Sequence, residues 1–248
     1  MTDHPIHMLW AVPRSTSTAF EWMMRMRGDL ICFHEPFGEA WYQGDDARWP
    51  RLADDSPRQP GLTTRGQYEM LCEAATKGPV FVKDFPNYTD HLWDDEFLGR
   101  FNHSFLIRTP AKVLPSVHKQ WDHFLAAEIG FDVQRRLFDL LTERLGSPPP
   151  LIDSDDLLAD PAGIVESYCD AIGIDFIPEA LSWEPGARNE VLWYDKEQTW
   201  HATLKNSDGL KPQPRTVGDI SDQPDWIVAM HDEALPHYEH LHQHRLRP

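Results

Sequence analysis

The sequence predicts an α/β fold with a central, mostly parallel sheet flanked by helices on both faces. Three observations carry that expectation. Short apolar runs alternate with longer stretches of helical periodicity. The first run stops at a polar turn that leads directly into an amphipathic helix. The runs themselves are nearly continuous in apolar residues, as strands buried on both faces must be.

In chain order, residues 6–12 read Ile-His-Met-Leu-Trp-Ala-Val, a buried strand that ends at Pro13. From Thr18 to Arg27, the residues Ala19, Phe20, Met23, Met24 and Met26 give a helix one buried face, and Gly28 stops it. Residues 30–33 form a second short strand, and residues 44–63, rich in Asp, Arg, Pro and Gly, an exposed loop. The alternation continues with a helix at 64–77, strands at 79–83 and 104–107, and helices near 111–121 and 131–145. A strand at 151–153 precedes a helix at 161–172 that carries proline in its first turn. Beyond residue 178 the periodicity weakens until a last helix at 225–245. A single domain over residues 1–248 is the expectation, with 178–248 its less regular part.

A formal net charge of −17 sets a field that repels nucleic acids and anionic membranes, so neither is expected as a partner. No apolar run approaches the roughly 18 residues needed to span a bilayer, and the opening residues lack a secretory pattern. A cytoplasmic location is expected. Cys32, Cys72 and Cys169 are an odd set without metal-type spacing and read as reduced thiols. An anionic ligand would need a local cluster of cations and backbone N–H groups to overcome the global field.

Such a cluster has two candidate halves. Val12-Pro13-Arg14-Ser15-Thr16-Ser17-Thr18 sits where a strand hands over to a helix, so helix N–H groups, the Arg14 guanidinium and several hydroxyls converge there. A plain N-cap with a polar turn would read the same way. The loop lacks the Walker A pattern and has nothing placed to hold Mg²⁺. The second half is Arg108 at the end of the strand Phe105-Leu106-Ile107, with Ser116 eight positions later on a helix. Strand ends of an open parallel sheet line a ligand crevice, which puts Arg108 on the same edge as the first loop.

Together these elements resemble the PAPS-dependent sulfotransferase family (PAPS, 3′-phosphoadenosine-5′-phosphosulfate). Its P-[KR]-S-x-[ST]-[ST] loop matches residues 13–18, and its R-x-x-x-x-x-x-x-S element matches Arg108 to Ser116. Residues 151–161 and 172–174 look like its downstream E-D-L-x-x-D-P … L-G segment. The resemblance implies a P-loop-type three-layer fold and transfer of a sulfuryl group from PAPS to a hydroxyl or amine of a small-molecule acceptor, without a metal. It implies that Arg14, Ser15, Thr16, Ser17 and Thr18 hold the 5′-phosphosulfate, that Arg108 and Ser116 hold the 3′-phosphate, and that Arg14 stabilises the transition state.

The base is open between neighbours. Glu35 matches a glutamate in the family's E-P setting, whereas His34 has the better intrinsic pKa for neutral pH. The family's K-x-H-x-P segment appears without its histidine, since position 85 is Phe, leaving Asp84 and His91 as outsiders. Lys83 remains a candidate cation for the transferring group. Trp41, Tyr42, Trp121, Trp193, Tyr194 and Trp200 are candidates for an acceptor pocket suited to an apolar or cationic molecule. Residues 178–248 would add acceptor-side loops and a docking helix, and Lys205 a further cation near the donor. His237, His240 and His244 share a helical face but lack a complete zinc pattern, so no metal is expected. Two other readings stay in play: a P-loop small-molecule kinase and a non-catalytic nucleotide-binding relative. Neither acceptor identity nor oligomeric state is legible.

Overall fold

The structure is a computed structural model that describes residues 3–48, 58–186, 189–191 and 202–248. Its centre is a sheet of β1 (Ile6–Ala11), β2 (Ile31–His34), β3 (Val80–Asp84), β4 (Asn102–Ile107) and β5 (Leu151–Asp153) in the order β2-β3-β1-β4-β5. All four pairings are parallel. Every residue of β1 and β3 is buried, which explains their apolar runs and makes Lys83 and Asp84 conspicuous exceptions. The helices are α1 (Ser17–Met26), α2 (Pro36–Gln43), α3 (Thr64–Ala74), α4 (Asp95–Gly99), α5 (Pro110–His118) and α6 (Ala126–Ile129). They continue with α7 (Phe131–Leu145), α8 (Ser154–Ala159), α9 (Pro161–Ile172), α10 (Ala202–Asn206) and α11 (Asp225–His242).

Alternation along the strands sorts the core into two layers. Met8 and Trp10 pack with Leu71 of α3, Phe138 of α7 and Leu241 of α11. On the other face, Leu9, Phe81, Leu106 and Ile152 meet Phe20 and Met23 of α1 and Tyr168 of α9. Each fully buried Leu, Ile or Phe contributes about 1.5–3 kcal/mol. This is the three-layer arrangement that the alternating sequence predicts.

The five helices absent from the sequence reading, α2, α4, α6, α8 and α10, run from four to eight residues. At most about two turns long, they show little hydrophobic period, and packing rather than propensity holds them. The strand expected at 104–107 begins at Asn102, because the preceding pair is anchored by Trp10 Nε1 donating to His103 Nδ1 at 2.9 Å. The strand expected at 30–33 runs one residue further, since His34 pairs with Lys83 in the β2–β3 register. The loop expected over 44–63 ends where Thr63 caps α3, accepting from Gly66 N, and residues 49–57 lie outside the described residues.

The last segment packs back on the sheet. Leu246 N donates to Leu151 O at 2.8 Å, and Arg245 Nε reaches Asp156 Oδ2 at 2.8 Å. No helix among the described residues is long and apolar enough to cross a membrane.

With β1 flanked by β3 on one side and β4 on the other, the chain's direction of travel reverses between β1 and β4. The carboxyl ends of such strands frame the crevice where open parallel sheets bind ligands. Gln134 of α7 bridges this point, donating to Trp10 O at 3.2 Å and Leu106 O at 3.1 Å.

Candidate active site

The loop after β1 is wound by hydrogen bonds and strained dihedrals. Ser15 Oγ donates to Val12 O at 2.6 Å, while Arg14 and Thr16 take left-handed conformations with φ of 62° and 72°. Such dihedrals cost a non-glycine residue about 1–3 kcal/mol each and gather at binding sites. Thr16 is the N-cap of α1 yet makes no side-chain cap bond, and no acidic residue occupies the first turn. Its Oγ1 instead meets Ser154 Oγ at 2.7 Å. The helix start is therefore uncapped by this side chain and electropositive, which suits an anion.

Arg108 follows β4 directly across the crevice. Its Nη1 donates to Arg14 O at 2.6 Å, and Arg14 Nε donates to Ser116 Oγ at 2.9 Å. Thus residues more than ninety positions apart in the chain form one cluster. Arg108 Nε is buried and lacks a hydrogen-bond partner among the described residues. Burial lowers the Arg108 pKa, the Arg14 charge adds to this, and Asp155 and Asp153 oppose it. A buried guanidinium with an open donor fits an anionic ligand.

Arg14, Ser15, Thr16, Ser17, Thr18, Arg108 and Ser116 line one cavity of ≈ 530 Å³, which Glu35 and Lys83 also line. Glu35 is the N-cap of α2 in a left-handed conformation, φ 46°, and its backbone N–H donates to Lys83 O at 2.8 Å. That turn sends its carboxylate to the Lys83 ammonium, and Oε1 and Nζ form an ion pair with side chains 3% and 1% exposed. Lys83 Nζ also lies 4.6 Å from the centre of the Phe85 ring.

His34 does not line this cavity. Its Nδ1 lies 2.5 Å from Glu21 Oε2, and its Nε2 lies 3.7 Å from Glu35 Oε1. Glu21 Oε1 accepts from Arg25 at 2.8 Å. Burial pushes the Glu21 carboxyl up, but His34, Arg25 and Lys83 together outweigh it and leave the pKa below its ordinary value. Asp84 is a structural bracket: it accepts from Phe37 N at 2.7 Å and Phe85 N at 2.8 Å. Burial, reinforced by the Glu35 charge, pushes its carboxyl well above the usual range. His91 lies outside the cavity, 3.3 Å from Thr64 Oγ1.

Tyr42 and Trp121 reach the cavity, joined by Phe85 and Tyr88. Trp41 stands behind, 5.6 Å from Tyr88 ring to ring. Trp193, Tyr194 and Trp200 lie outside the described residues. Lys205 does not line the cavity, although Leu204 and Ser207 beside it do. Gly209 closes this wall: a Cβ there would meet Leu181 O at 2.5 Å. Sequence reasoning missed Tyr88, Glu128, Leu158 and Gln213, which also line the cavity. Leu158 sits at an unspecified position of the segment 151–161, the other three belong to no motif, and only Tyr88 carries an aromatic signal. His240 Nε2 on α11 pairs with Asp139 Oδ1 at 2.7 Å, and His244, past the end of that helix, packs on Phe138. Among the described residues no group of three His, Cys, Asp or Glu is arranged to hold a metal.

An all-parallel sheet whose first loop feeds a helix start at the crevice is a P-loop-type fold. A family model described as Sulfotransferase domain matches residues 6–244, and the chain belongs to that family. In Arabidopsis thaliana, branched-chain-amino-acid aminotransferase-like proteins 2 and 1 are 26% and 25% identical over 95% and 98% of this chain. The chain spans only 41% and 43% of their lengths. Sulfotransferase ppzF of Metarhizium majus (strain ARSEF 297) is 26% identical over 70% of this chain and 63% of its own length. The sulfotransferase domain from the Synechococcus PCC 7002 olefin synthase superposes with a TM-score of 0.54 at 16% identity, covering 94% of this chain and 95% of that one. That likeness is one of fold.

Proposed function

We propose that residues 6–244 act as one catalytic unit that moves a sulfuryl group from PAPS to a hydroxyl or amine of a small-molecule acceptor. The donor would supply the sulfuryl group and a bisphosphate leaving group. The observation that carries this reading is the Arg14–Ser116–Arg108 cluster at the crevice, with a buried guanidinium nitrogen left open. In this reading the helix start and the hydroxyls of residues 15–18 hold the phosphosulfate end, and Arg108 with Ser116 holds the 3′-phosphate. Arg14 and Lys83 neutralise charge as it develops, a role for which preorganised cations suffice. Glu35 takes the acceptor's proton, because it lines the cavity while His34 does not. Tyr42, Phe85, Tyr88 and Trp121 form an aromatic wall for an apolar or cationic acceptor body.

Thermal shift tests the donor. Adenosine 3′,5′-bisphosphate at a hundred times its dissociation constant should add about 2.7 kcal/mol of stability. ATP with Mg²⁺ should add far less, and the reverse ranking would turn the reading into that of a kinase. Transfer from labelled PAPS to a panel of alcohols, phenols and amines tests catalysis, and binding without any transfer would identify a non-catalytic relative.

A further inference from the structure

Among the described residues, the charged side chains that line the ≈ 530 Å³ cavity are Arg14, Arg108, Lys83, Glu35 and Glu128. Arg14 and Arg108 belong to the cluster built on the loop after β1, and Glu35 is taken up by the Lys83 ammonium. Glu128, 4% exposed, comes from a different element, α6. Its Oε2 accepts from Leu125 N at 2.8 Å, which orients the carboxylate. Helix α6 packs against the turn Pro86–Tyr88, where Asn87 Nδ2 donates to Ala127 O at 3.2 Å. Gly130 permits this approach, since a Cβ there would meet Asn87 Oδ1 at 3.1 Å. The Tyr88 ring centre lies 5.7 Å from that of Tyr42 and 5.6 Å from that of Phe85, with the planes crossed at 75° and 51°. A carboxylate and an aromatic cluster thus reach one cavity from elements packed on each other. We propose that the acceptor carries a substituted ammonium group besides its reacting hydroxyl or amine, and that Glu128 with the rings of Tyr42, Tyr88 and Trp121 selects it. This deepens the reading above and rests on the acceptor binding in this cavity.

Aromatic rings alone suit an apolar body as well as a cation, so the carboxylate decides. Burying a carboxylate is costly, and an apolar ligand laid against Glu128 would strip its remaining water and return nothing. An ammonium offsets that cost through its charge and through the negative ring faces. The attraction is Coulombic, so it does not depend on which hydrogen bonds the carboxylate already makes. A methylated ammonium fits such a wall, because its charge spreads over methyl groups that meet the rings. Phe85 already carries a cation, Lys83 Nζ lying 4.6 Å from its centre. The net charge of −17 draws cations towards the protein, while Arg14, Arg108 and Lys83 repel the ammonium from the end that takes the phosphates.

Transfer stays balanced with such an acceptor. Its O–H or N–H bond breaks as the proton passes to Glu35, and the freed oxygen or nitrogen bonds to sulfur as the bond from sulfur to the donor's phosphate oxygen breaks. The product carries one ammonium and one sulfated group, and the bisphosphate leaves with the electron pair of the broken bond.

The test compares choline with 3,3-dimethyl-1-butanol, an alcohol of the same shape in which carbon replaces the charged nitrogen. Calorimetry on the protein saturated with adenosine 3′,5′-bisphosphate should give choline the tighter constant by about tenfold to thirtyfold, the span of a desolvated cation on aromatic rings. Glu128→Gln retains an oxygen to accept from Leu125 N, so α6 keeps its start. The variant should weaken choline about tenfold and leave the butanol near the parent value. If thermal unfolding shows the variant misfolded, the parent's own preference between the two alcohols decides. With labelled PAPS, kcat/KM should favour choline in the parent, and Glu128→Gln should narrow the gap. Equal or tighter binding of the butanol by the parent, no binding of choline, or an equal loss for both alcohols in the variant overturns the proposal. The transfer reading fails separately. If choline binds with the expected preference and neither alcohol is sulfated, that reading falls and the cation site stands; if the bisphosphate does not bind, choline titrated alone still reads the site.

Discussion

The two sides of the crevice are built on opposite principles. On the α1 side, Arg14, Arg108 and Ser116 bond one another and the loop backbone, yet a buried guanidinium nitrogen and a helix start remain open to a ligand. On the β2–β3 side, Lys83, Glu35, His34, Glu21 and Arg25 form a continuous chain of polar side chains, buried up to the half-buried Arg25. The first side is completed by what binds, and the second is complete beforehand. Polar groups left open cost stability, whereas paired charges hold the Glu35 carboxylate in place and are costly to break.

Four substitutions sharpen or break that contrast. Lys83→Met should have the largest effect on stability, about 3–5 kcal/mol, because it strands Glu35 as an unpaired buried charge. Urea unfolding reads it, and Glu35→Met in the same chain should recover part of the loss.

Glu21→Gln comes next, costing about 1.5–3 kcal/mol at neutral pH, the worth of hydrogen bonds to a charged group. Its pH dependence has a defined sign. The folded-state pKa of Glu21 lies below the ordinary 4.5, so as pH falls the unfolded chain takes the proton first. The contribution is complete above the unfolded value and fades as pH falls through the folded one. Unfolding at pH 7 and again below pH 4.5 should show the penalty shrinking in acid, and a penalty independent of pH would remove Glu21 from the charged chain.

Arg108→Ala should weaken adenosine 3′,5′-bisphosphate by about 1.5–3 kcal/mol in calorimetry, again the range for charge-assisted bonds. On the open side the loss should appear in ligand binding more than in stability. An unfolding defect larger than the binding defect would contradict the contrast. Ser116→Ala should be mildest, about 1 kcal/mol of binding, since it removes one neutral hydroxyl partner of Arg14.

The relation between sequence and structure differs between the two sides. The meeting of residues 13–18 with Arg108 and Ser116 on one cavity was legible because each half leaves a local mark: a hydroxyl-rich turn between strand and helix, and an arginine at a strand end. The Glu35–Lys83 pair was only half legible. Each residue could be singled out, but the distance of 48 positions between them hid the ion pair. Glu21 left no mark, because an acidic residue inside an amphipathic helix reads as a solvated face, and only the packing of α1 against β2 and β3 buries it.

By itself the sequence determined the order of strands and long helices, the buried character of the parallel sheet, and the two segments that meet at the crevice. Those follow from periodicity and local turn chemistry, which act over a few residues. Tertiary structure alone decided that Glu35 lines the ≈ 530 Å³ cavity while His34 does not, and that Tyr88, Glu128, Leu158 and Gln213 share its wall. The physical reason is that side-chain partners across parallel strands are joined by the sheet's register and crossovers, which no local pattern encodes.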